Sequence, residues 1–223
     1  MCGIIGIQGK NFKEIESALN LILHRGPDDR GVFIKEDDSI SLGHARLSIL
    51  DISKQGHQPM VEDKTGLSIT YNGEIYNFIE LRKILIQDGY SFKSNTDTEV
   101  LIFMYLKYGT EMLKYLNGIF AFAIWDPKNK ELFIARDRYG VKPIYYINDE
   151  VENNFSFSSE LKSLLCFTKE KELNYLSIHR YLTYLYCPGN DTALKSINRM
   201  NPGEALLVAE GRIRKKWCWY DIR

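Results

Sequence analysis

Several features are scarce in this chain of 223 residues, and each scarcity removes a class of function. Only four cysteines occur, Cys2, Cys166, Cys187 and Cys218, and no two have the C-x-x-C spacing of a zinc knuckle or redox pair. Four are also too few to read as a disulfide framework at this length. No apolar run approaches the roughly 20 residues that span a bilayer. The N-terminus lacks the basic region and apolar stretch of a secretory signal. These absences predict a cytoplasmic protein with no membrane partner. The triplets Asn154-Phe155-Ser156 and Asn190-Asp191-Thr192 then carry no glycosylation signal. Charge of one sign is not in excess either: Lys plus Arg and Asp plus Glu both number 29, so no global field draws in nucleic acid or an anionic membrane. His24, His44, His57 and His179 show no i, i+4 pairing, which predicts no metal site. No G-x-x-x-x-G-K-[ST] or G-x-G-x-x-G is present, so no cofactor is expected in this chain.

What remains is ordinary globular material, 44% hydrophobic and 13% aromatic. The apolar run at 3–8 predicts a buried strand. Ile15, Ala18, Leu19 and Ile22 predict one face of a helix over 12–23. A polar break at 24–31 precedes strands at 31–35 and 40–46, and 48–66 reads as irregular. A strand at 67–72 meets Gly73, and helical periodicity returns at 77–87 and 97–108. A hairpin is predicted from 119–126 and 131–137 around DPKNK. Strands at 139–147 and 155–159, a short helix at 160–166, a helix at 175–184 and a last hairpin, 204–210 with 211–219, complete the order. Hairpin-joined strands with inserted helices argue for an α+β fold with antiparallel sheets. One domain is expected over 1–223, with a core at 2–190 and a C-terminal hairpin segment at 191–223.

The opening MCGIIGIQG puts a thiol at the second position. A free thiol titrates near 8.5 and a free α-amine around 7.7–8.0. If Met1 is removed, both sit on Cys2, and the amine can take the thiol proton: nucleophile and base on one residue. With Met1 attached, the nitrogen is an amide and the thiol loses that base. Removal of Met1 is therefore expected.

Other stretches give Cys2 company: His24-Arg25-Gly26-Pro27-Asp28, Gly43-His44-Ala45-Arg46-Leu47-Ser48-Ile49, Tyr71-Asn72-Gly73-Glu74-Ile75-Tyr76-Asn77, Ser94-Asn95-Thr96-Asp97-Thr98-Glu99, Arg136-Asp137-Arg138-Tyr139-Gly140-Val141-Lys142-Pro143-Ile144-Tyr145-Tyr146 and Ser158-Ser159-Glu160. This ordered set resembles the glutaminase domain of glutamine-dependent asparagine synthetases, from residue 2 to about 220. The resemblance implies a glutamine amidotransferase of the N-terminal-nucleophile hydrolase type, a four-layer αββα sandwich of two antiparallel sheets. It implies Cys2 as nucleophile, with Asn72 and Gly73 as the oxyanion hole. It implies Arg46 for the α-carboxylate of glutamine, Asp97 and Glu74 for its ammonium side, and backbone groups of Leu47 and Ile49. The residues alone leave plainer readings open: Asn-Gly as a hairpin turn, Asp97 as a helix N-cap, Arg46 as a solvated charge. Arg25 and Asp28 could position the N-terminal residue. Arg136, Asp137 and Arg138 read as an ion-pair network, and Lys142-Pro143 as a turn.

The family's second domain carries a Ser-Gly-Gly-x-Asp-Ser loop with no counterpart here. Residues 217–223 resemble the passage toward it. The implied partners are glutamine and a synthetase domain or subunit, to which ATP and Mg2+ would belong; a homodimer stays open. The expected reaction is hydrolysis of glutamine to glutamate and ammonia. A non-catalytic glutamine-binding module and an amidotransferase serving another carboxylate, such as a sugar acid, are the alternatives.

Overall fold

The structure is a computed structural model and describes residues 1–49, 51, 53–168 and 171–222. Leu50 and Ile52 of the stretch read as irregular, residues 169 and 170 of the expected domain, and Arg223 at its end lie outside the described residues.

The elements in chain order are β1 (Gly3–Gln8), α1 (Ile15–Asn20), β2 (Asp29–Lys35), β3 (Ile40–Arg46), β4 (Met60–Val61), β5 (Ser68–Ile75), α2 (Phe78–Gln87), α3 (Asp97–Tyr108), β6 (Gly118–Asp126), β7 (Glu131–Arg136), β8 (Tyr145–Asp149), β9 (Asn154–Ser158), α4 (Leu161–Leu164), α5 (Tyr175–Tyr184), β10 (Asn198–Arg199), β11 (Glu204–Ala209) and β12 (Arg212–Cys218). One six-stranded sheet runs β10-β8-β9-β1-β3-β2 and the other β12-β11-β7-β6-β5-β4, with every ladder antiparallel.

Three apolar layers explain why β1 is a continuous apolar run. Ile4 joins the layer between the sheets, with Trp125, Ile134 and Phe157. Ile5 and Ile7 join the outer layer beneath α1 and α4, with Ile15, Leu19 and Leu164. A strand covered on both faces has no polar side to alternate with. The other outer layer packs α2 and α3 on β5, β6 and β7, through Leu85, Leu101, Met104, Phe122 and Phe133. Helix, sheet, sheet, helix is the expected αββα order. No helix among the described residues is long and apolar enough to cross a membrane.

Four local readings differ from the structure. The helix expected over 12–23 is α only at Ile15–Asn20, flanked by 3-10 turns at Phe12–Glu14 and Leu23–Arg25. Its predicted face is nonetheless fully buried. The tighter last turn keeps Ile22 in the core and turns Arg25 toward Cys2. Second, the strand expected from 67 does not stop at Gly73. It continues to Ile75, paired with β6 down to Gly118. Third, 139–144 is not strand. Gly140 adopts a positive φ of 65°, and the Asp137 carboxylate accepts the N–H groups of Tyr139, Val141 and Lys142 at 3.1, 3.0 and 2.9 Å. Pairing with β9 begins only at Tyr145.

Fourth, Arg136, Asp137 and Arg138 bind backbone rather than one another. Arg136 Nε donates to the Lys142 carbonyl at 2.8 Å, Nη2 to Gly140 at 2.5 Å, and Nη1 to Met200. Arg138 donates to the Leu116 carbonyl at 3.1 Å and lies over the rings of Trp219 and Tyr220. Asp137 is fully buried. Asp137→Ala strands several N–H groups at once and is expected to cost about 3 kcal/mol or more of unfolding free energy, read from chemical denaturation.

A buried histidine gives the fold a pH dependence. His44 on β3 donates Nε2–H to the Tyr71 carbonyl at 3.0 Å, while its Nδ1 is buried without a partner. Burial, opposed by that bond and aided by the Arg46 charge, pushes its pKa down to about 4; Asp29 and His57 act on it more weakly. The unfolded chain takes up this proton near pH 6.5, and the folded chain refuses it until near pH 4. Stability from this residue is therefore complete above about pH 6.5 and lost as pH falls toward 4. Between pH 7 and 5 the loss is about 2 kcal/mol. The measurable outcome is a steeper drop in unfolding free energy for wild type than for His44→Gln over that interval.

Candidate active site

The two sheets bring the expected residues to one end of the sandwich. Cys2 precedes β1, whose Gly3 pairs with Ala45, so Cys2 lies opposite Arg46 at the end of β3. The second half of β5 brings Asn72, Gly73 and Glu74, and the start of α3 brings Asp97. All six, with Leu47 and Ile49, line one cavity of about 130 Å³. Sequence distances of up to 95 residues are closed by strand pairing and by α3 packing on β5.

Cys2 is held at both ends. Its carbonyl accepts Arg25 Nε at 2.9 Å, and Arg25 also meets Glu160 at 3.1 Å. Its Sγ accepts the Leu47 N–H at 3.4 Å and lies 3.5 Å from the Leu47 carbonyl. Leu47 thus addresses the thiol with its backbone, whereas Ile49 stands at the exposed rim. Asp28 accepts the Ser48 N–H at 2.8 Å and fixes the chain beyond Leu47. Burial pushes the Cys2 thiol pKa up. The Leu47 N–H, the terminal ammonium, Arg46 and Lys142 only partly offset it. A thiol so placed needs a base, and no histidine is among the residues lining this cavity.

Asn72 is 2% exposed on the middle of β5, and its Nδ2 is buried without a partner. Nearly all buried donors are satisfied, so an orphan in a cavity wall marks a place for an acceptor. The neighbouring glycine has a structural cause. A Cβ on Gly73 would stand 2.3 Å from the Ile119 carbonyl and 2.7 Å from Phe120 Cα, so strand crowding requires glycine here.

The acidic side is a buried cluster. Asp97 Oδ2 accepts the Tyr71 hydroxyl at 2.7 Å and the Ile75 N–H at 3.0 Å. Burial raises the Asp97 pKa against those two bonds. Burial and the Asp97 charge raise Glu74, and they hold the Tyr71 hydroxyl far above its ordinary range, hence protonated and donating. The N-cap of α3 is Thr96, whose side chain accepts the Glu99 N–H at 3.3 Å, so Asp97 is free of that duty. Arg46 is 6% exposed and not a solvated charge. Its Nη1 donates to the Ser53 carbonyl at 3.2 Å and Nη2 to the Asp51 backbone carbonyl at 2.5 Å, which ties the turn beside it to the cavity wall. A Cβ on Gly56 would meet Nη2 at 2.0 Å.

The fold and this geometry can be set against known proteins. A model of the glutamine amidotransferase domain matches residues 1–219. The chain belongs to that family. As a glutamine amidotransferase domain it is 37% identical over 218 residues to asparagine synthetase [glutamine-hydrolyzing] 1 of Bacillus subtilis, covering 93% of this chain and 33% of that protein. It is 34% identical over 210 residues to amidase chry2 of Gibberella zeae, covering 94% of this chain and 30% of that one. The chain thus spans about a third of the length of these curated relatives. Its fold matches glutamine phosphoribosylpyrophosphate amidotransferase of Bacillus subtilis with a TM-score of 0.71 at 18% identity, over 100% of this chain and 50% of that one. The two share this two-sheet fold.

Two lining residues of this amidotransferase domain escape sequence reasoning. Lys142, read as part of a turn, is 8% exposed, lines the cavity and points Nζ to the Met1 sulfur at 3.5 Å. Gln58 accepts the Tyr71 N–H at 2.7 Å and donates to Thr98 Oγ1 at 3.3 Å, bracing the two walls. Neither sits in a patterned element; the Lys-Pro of the resemblance was the one signal for Lys142. Among the described residues no group of three His, Cys, Asp or Glu could hold a metal ion.

Proposed function

We propose that this domain hydrolyses glutamine to glutamate and ammonia, with Cys2 as nucleophile. The observation that carries the reading is the meeting of one thiol, that of Cys2, and one buried, unpartnered amide donor, Asn72 Nδ2, in a single small cavity. In the proposed reaction Cys2 Sγ attacks Cδ of glutamine, and the charge that develops on oxygen faces Asn72 Nδ2 and the Gly73 backbone. The C–N bond breaks, and the α-amine of Cys2, freed by removal of Met1, passes the thiol proton to the departing ammonia. Water then cleaves the γ-glutamyl thioester and restores the thiol.

Charge in the cavity supports an amino acid with a neutral side-chain amide. Two cations, Arg46 and Lys142, and two carboxylates, Glu74 and Asp97, line it. A zwitterion needs both signs. The α-carboxylate is assigned to the Arg46 side, and the ammonium to Asp97 and Glu74, whose mutual repulsion a cation relieves. Asp97→Asn keeps both hydrogen-bond partners but loses the charge. It is expected to raise KM for glutamine by about tenfold to a hundredfold, with a smaller change in kcat, in steady-state glutamate release.

The names and lengths of the relatives support a larger setting. We place ammonia release in the service of an ATP-dependent amidation, asparagine formation by default, in a synthetase domain or subunit that holds ATP and Mg2+. The same reading treats residues 1–223 as one domain and the cytoplasm as its location. The deciding experiment measures glutamate release and glutamine binding together, with the N-terminal mass of the active protein. Turnover with Met1 lost is the expected result. Binding without turnover would leave a glutamine-binding module, and full turnover with Met1 retained would defeat the amine's role as base.

A further inference from the structure

One buried cation in the cavity wall has no counter-charge. Lys142 is 8% exposed and lines the cavity together with Cys2. Among the described residues its Nζ has one polar partner, the Met1 sulfur at 3.5 Å, and no carboxylate within ion-pair reach. A thioether is a weak acceptor and carries no charge. An ammonium taken out of water without an anion is costly to the fold. A position that keeps one points to an anion that forms beside it.

The backbone shows that this placement is built. The Lys142 N–H donates to the Asp137 carboxylate at 2.9 Å, its carbonyl accepts Arg136 Nε at 2.8 Å, and Pro143 follows it. A proline also narrows the backbone choices of the residue before it. The main chain of Lys142 is thus clamped on both sides.

The other charged groups around Cys2 are committed elsewhere. At the end of β3, Arg46 holds the Ser53 and Asp51 carbonyls. In the turn after α1, Arg25 holds the Cys2 carbonyl and meets Glu160. At the start of α3, Asp97 accepts the Tyr71 hydroxyl from β5. Burial and the Asp97 charge raise Glu74, also on β5, and the Lys142 charge works against both. On the thiol itself burial is the largest influence, and Lys142, like Arg46, opposes it by favouring the thiolate.

We propose that Lys142 is a positioning residue for the hydrolysis: its ammonium is the counter-charge of the Cys2 thiolate and holds the Cys2 α-amine unprotonated at neutral pH. This rests on the amidotransferase reading above, including removal of Met1, which takes the thioether away and leaves the new amine on Cys2. An α-amine ordinarily titrates around 7.7–8.0, so at pH 7 most of it would hold a proton and could not serve as a base. A nearby cation disfavours that proton and favours ionisation of the thiol. Both effects move the working range toward lower pH.

The test compares wild type, Lys142→Met and Lys142→Arg, all with Met1 removed and with denaturation midpoints measured. Methionine keeps most of the stem and loses the charge; arginine keeps the charge. In Lys142→Met the acid limb of kcat/KM for glutamate release is expected to move up by about one pH unit. That variant then loses roughly tenfold at about pH 6 and less than about twofold at about pH 8.5, and Lys142→Arg restores most of the difference. Alkylation of Cys2 by iodoacetamide, followed by the mass of the N-terminal peptide, is expected to shift its pH midpoint up by a similar amount. If Lys142→Met folds poorly, Lys142→Gln carries the same comparison. A higher KM with both pH profiles unmoved would assign Lys142 to the glutamine carboxylate and overturn the inference, as would profiles that coincide throughout. Should the wild type release no glutamate, the glutaminase reading alone fails, and the alkylation profile still decides for or against Lys142.

Discussion

Cys2→Ala is expected to abolish glutamate release, by at least about three orders of magnitude in kcat, while glutamine still binds within a factor of about three. The split follows from the site. The change deletes one sulfur, whose contacts are the N–H and carbonyl of Leu47, and leaves Arg46, Glu74 and Asp97 untouched. No second thiol is at hand, since the other cysteines, Cys166, Cys187 and Cys218, are absent from the cavity lining. Burial raises the thiol pKa, so attack depends on a base. In the proposed reaction the α-amine of Cys2 serves as that base. A chain that retains Met1, or carries any blocking group on Cys2, should therefore be as inert as Cys2→Ala despite an intact thiol. Calorimetry for binding and coupled detection of glutamate for turnover separate these cases. Turnover persisting in Cys2→Ala removes the thiol from the mechanism.

The second large effect is a loss of rate without a loss of stability. Asn72→Ala is expected to lower kcat by about 10²–10³-fold, or 2.7–4 kcal/mol of transition-state stabilisation, with little change in glutamine binding. Before substrate arrives, Nδ2 is a buried donor with nothing to bond. Its removal therefore costs the folded protein no hydrogen bond and relieves an unsatisfied group, so the denaturation midpoint should hold or rise. A variant that is slower and no less stable marks a donor reserved for the transition state. Equal losses in both would instead make Asn72 a structural residue.

The sequence was most informative where pattern and packing coincide. GIIGIQ, the 97–108 helix and the 119–136 hairpin each carry a periodicity that one apolar layer or two dictate, and they form as expected. Errors fell where polar side chains bind backbone. Asp137 gathers the amides of 139, 141 and 142, and Arg136 the carbonyls of 140, 142 and 200. No periodicity announces such a hub, so a tyrosine-rich stretch read as strand and three charges read as ion pairs. Much of the cavity was legible through motif resemblance, because Cys2, Arg46, Asn72, Gly73, Glu74 and Asp97 converge there. Lys142 and Gln58 were not, since they reach the cavity from irregular segments placed by long-range contacts. The glycine at 73, placed by the resemblance alone, has a packing cause that the sequence did not announce, as the neighbouring strand already forbids a side chain there.

Asn72 rides on a strand hydrogen-bonded to β6 along its length, whereas the turn that Arg46 secures, at Ser53 and Gly56, is held by that guanidinium and by local bonds of the Asp51 and Ser53 side chains. The molecule thus separates a chemical anvil set in a sheet from a collar built in a loop. Replacements around the collar should retune which amide-bearing compounds are admitted while the bond-breaking apparatus stays where it is. A lineage could change its nitrogen donor without rebuilding its catalyst.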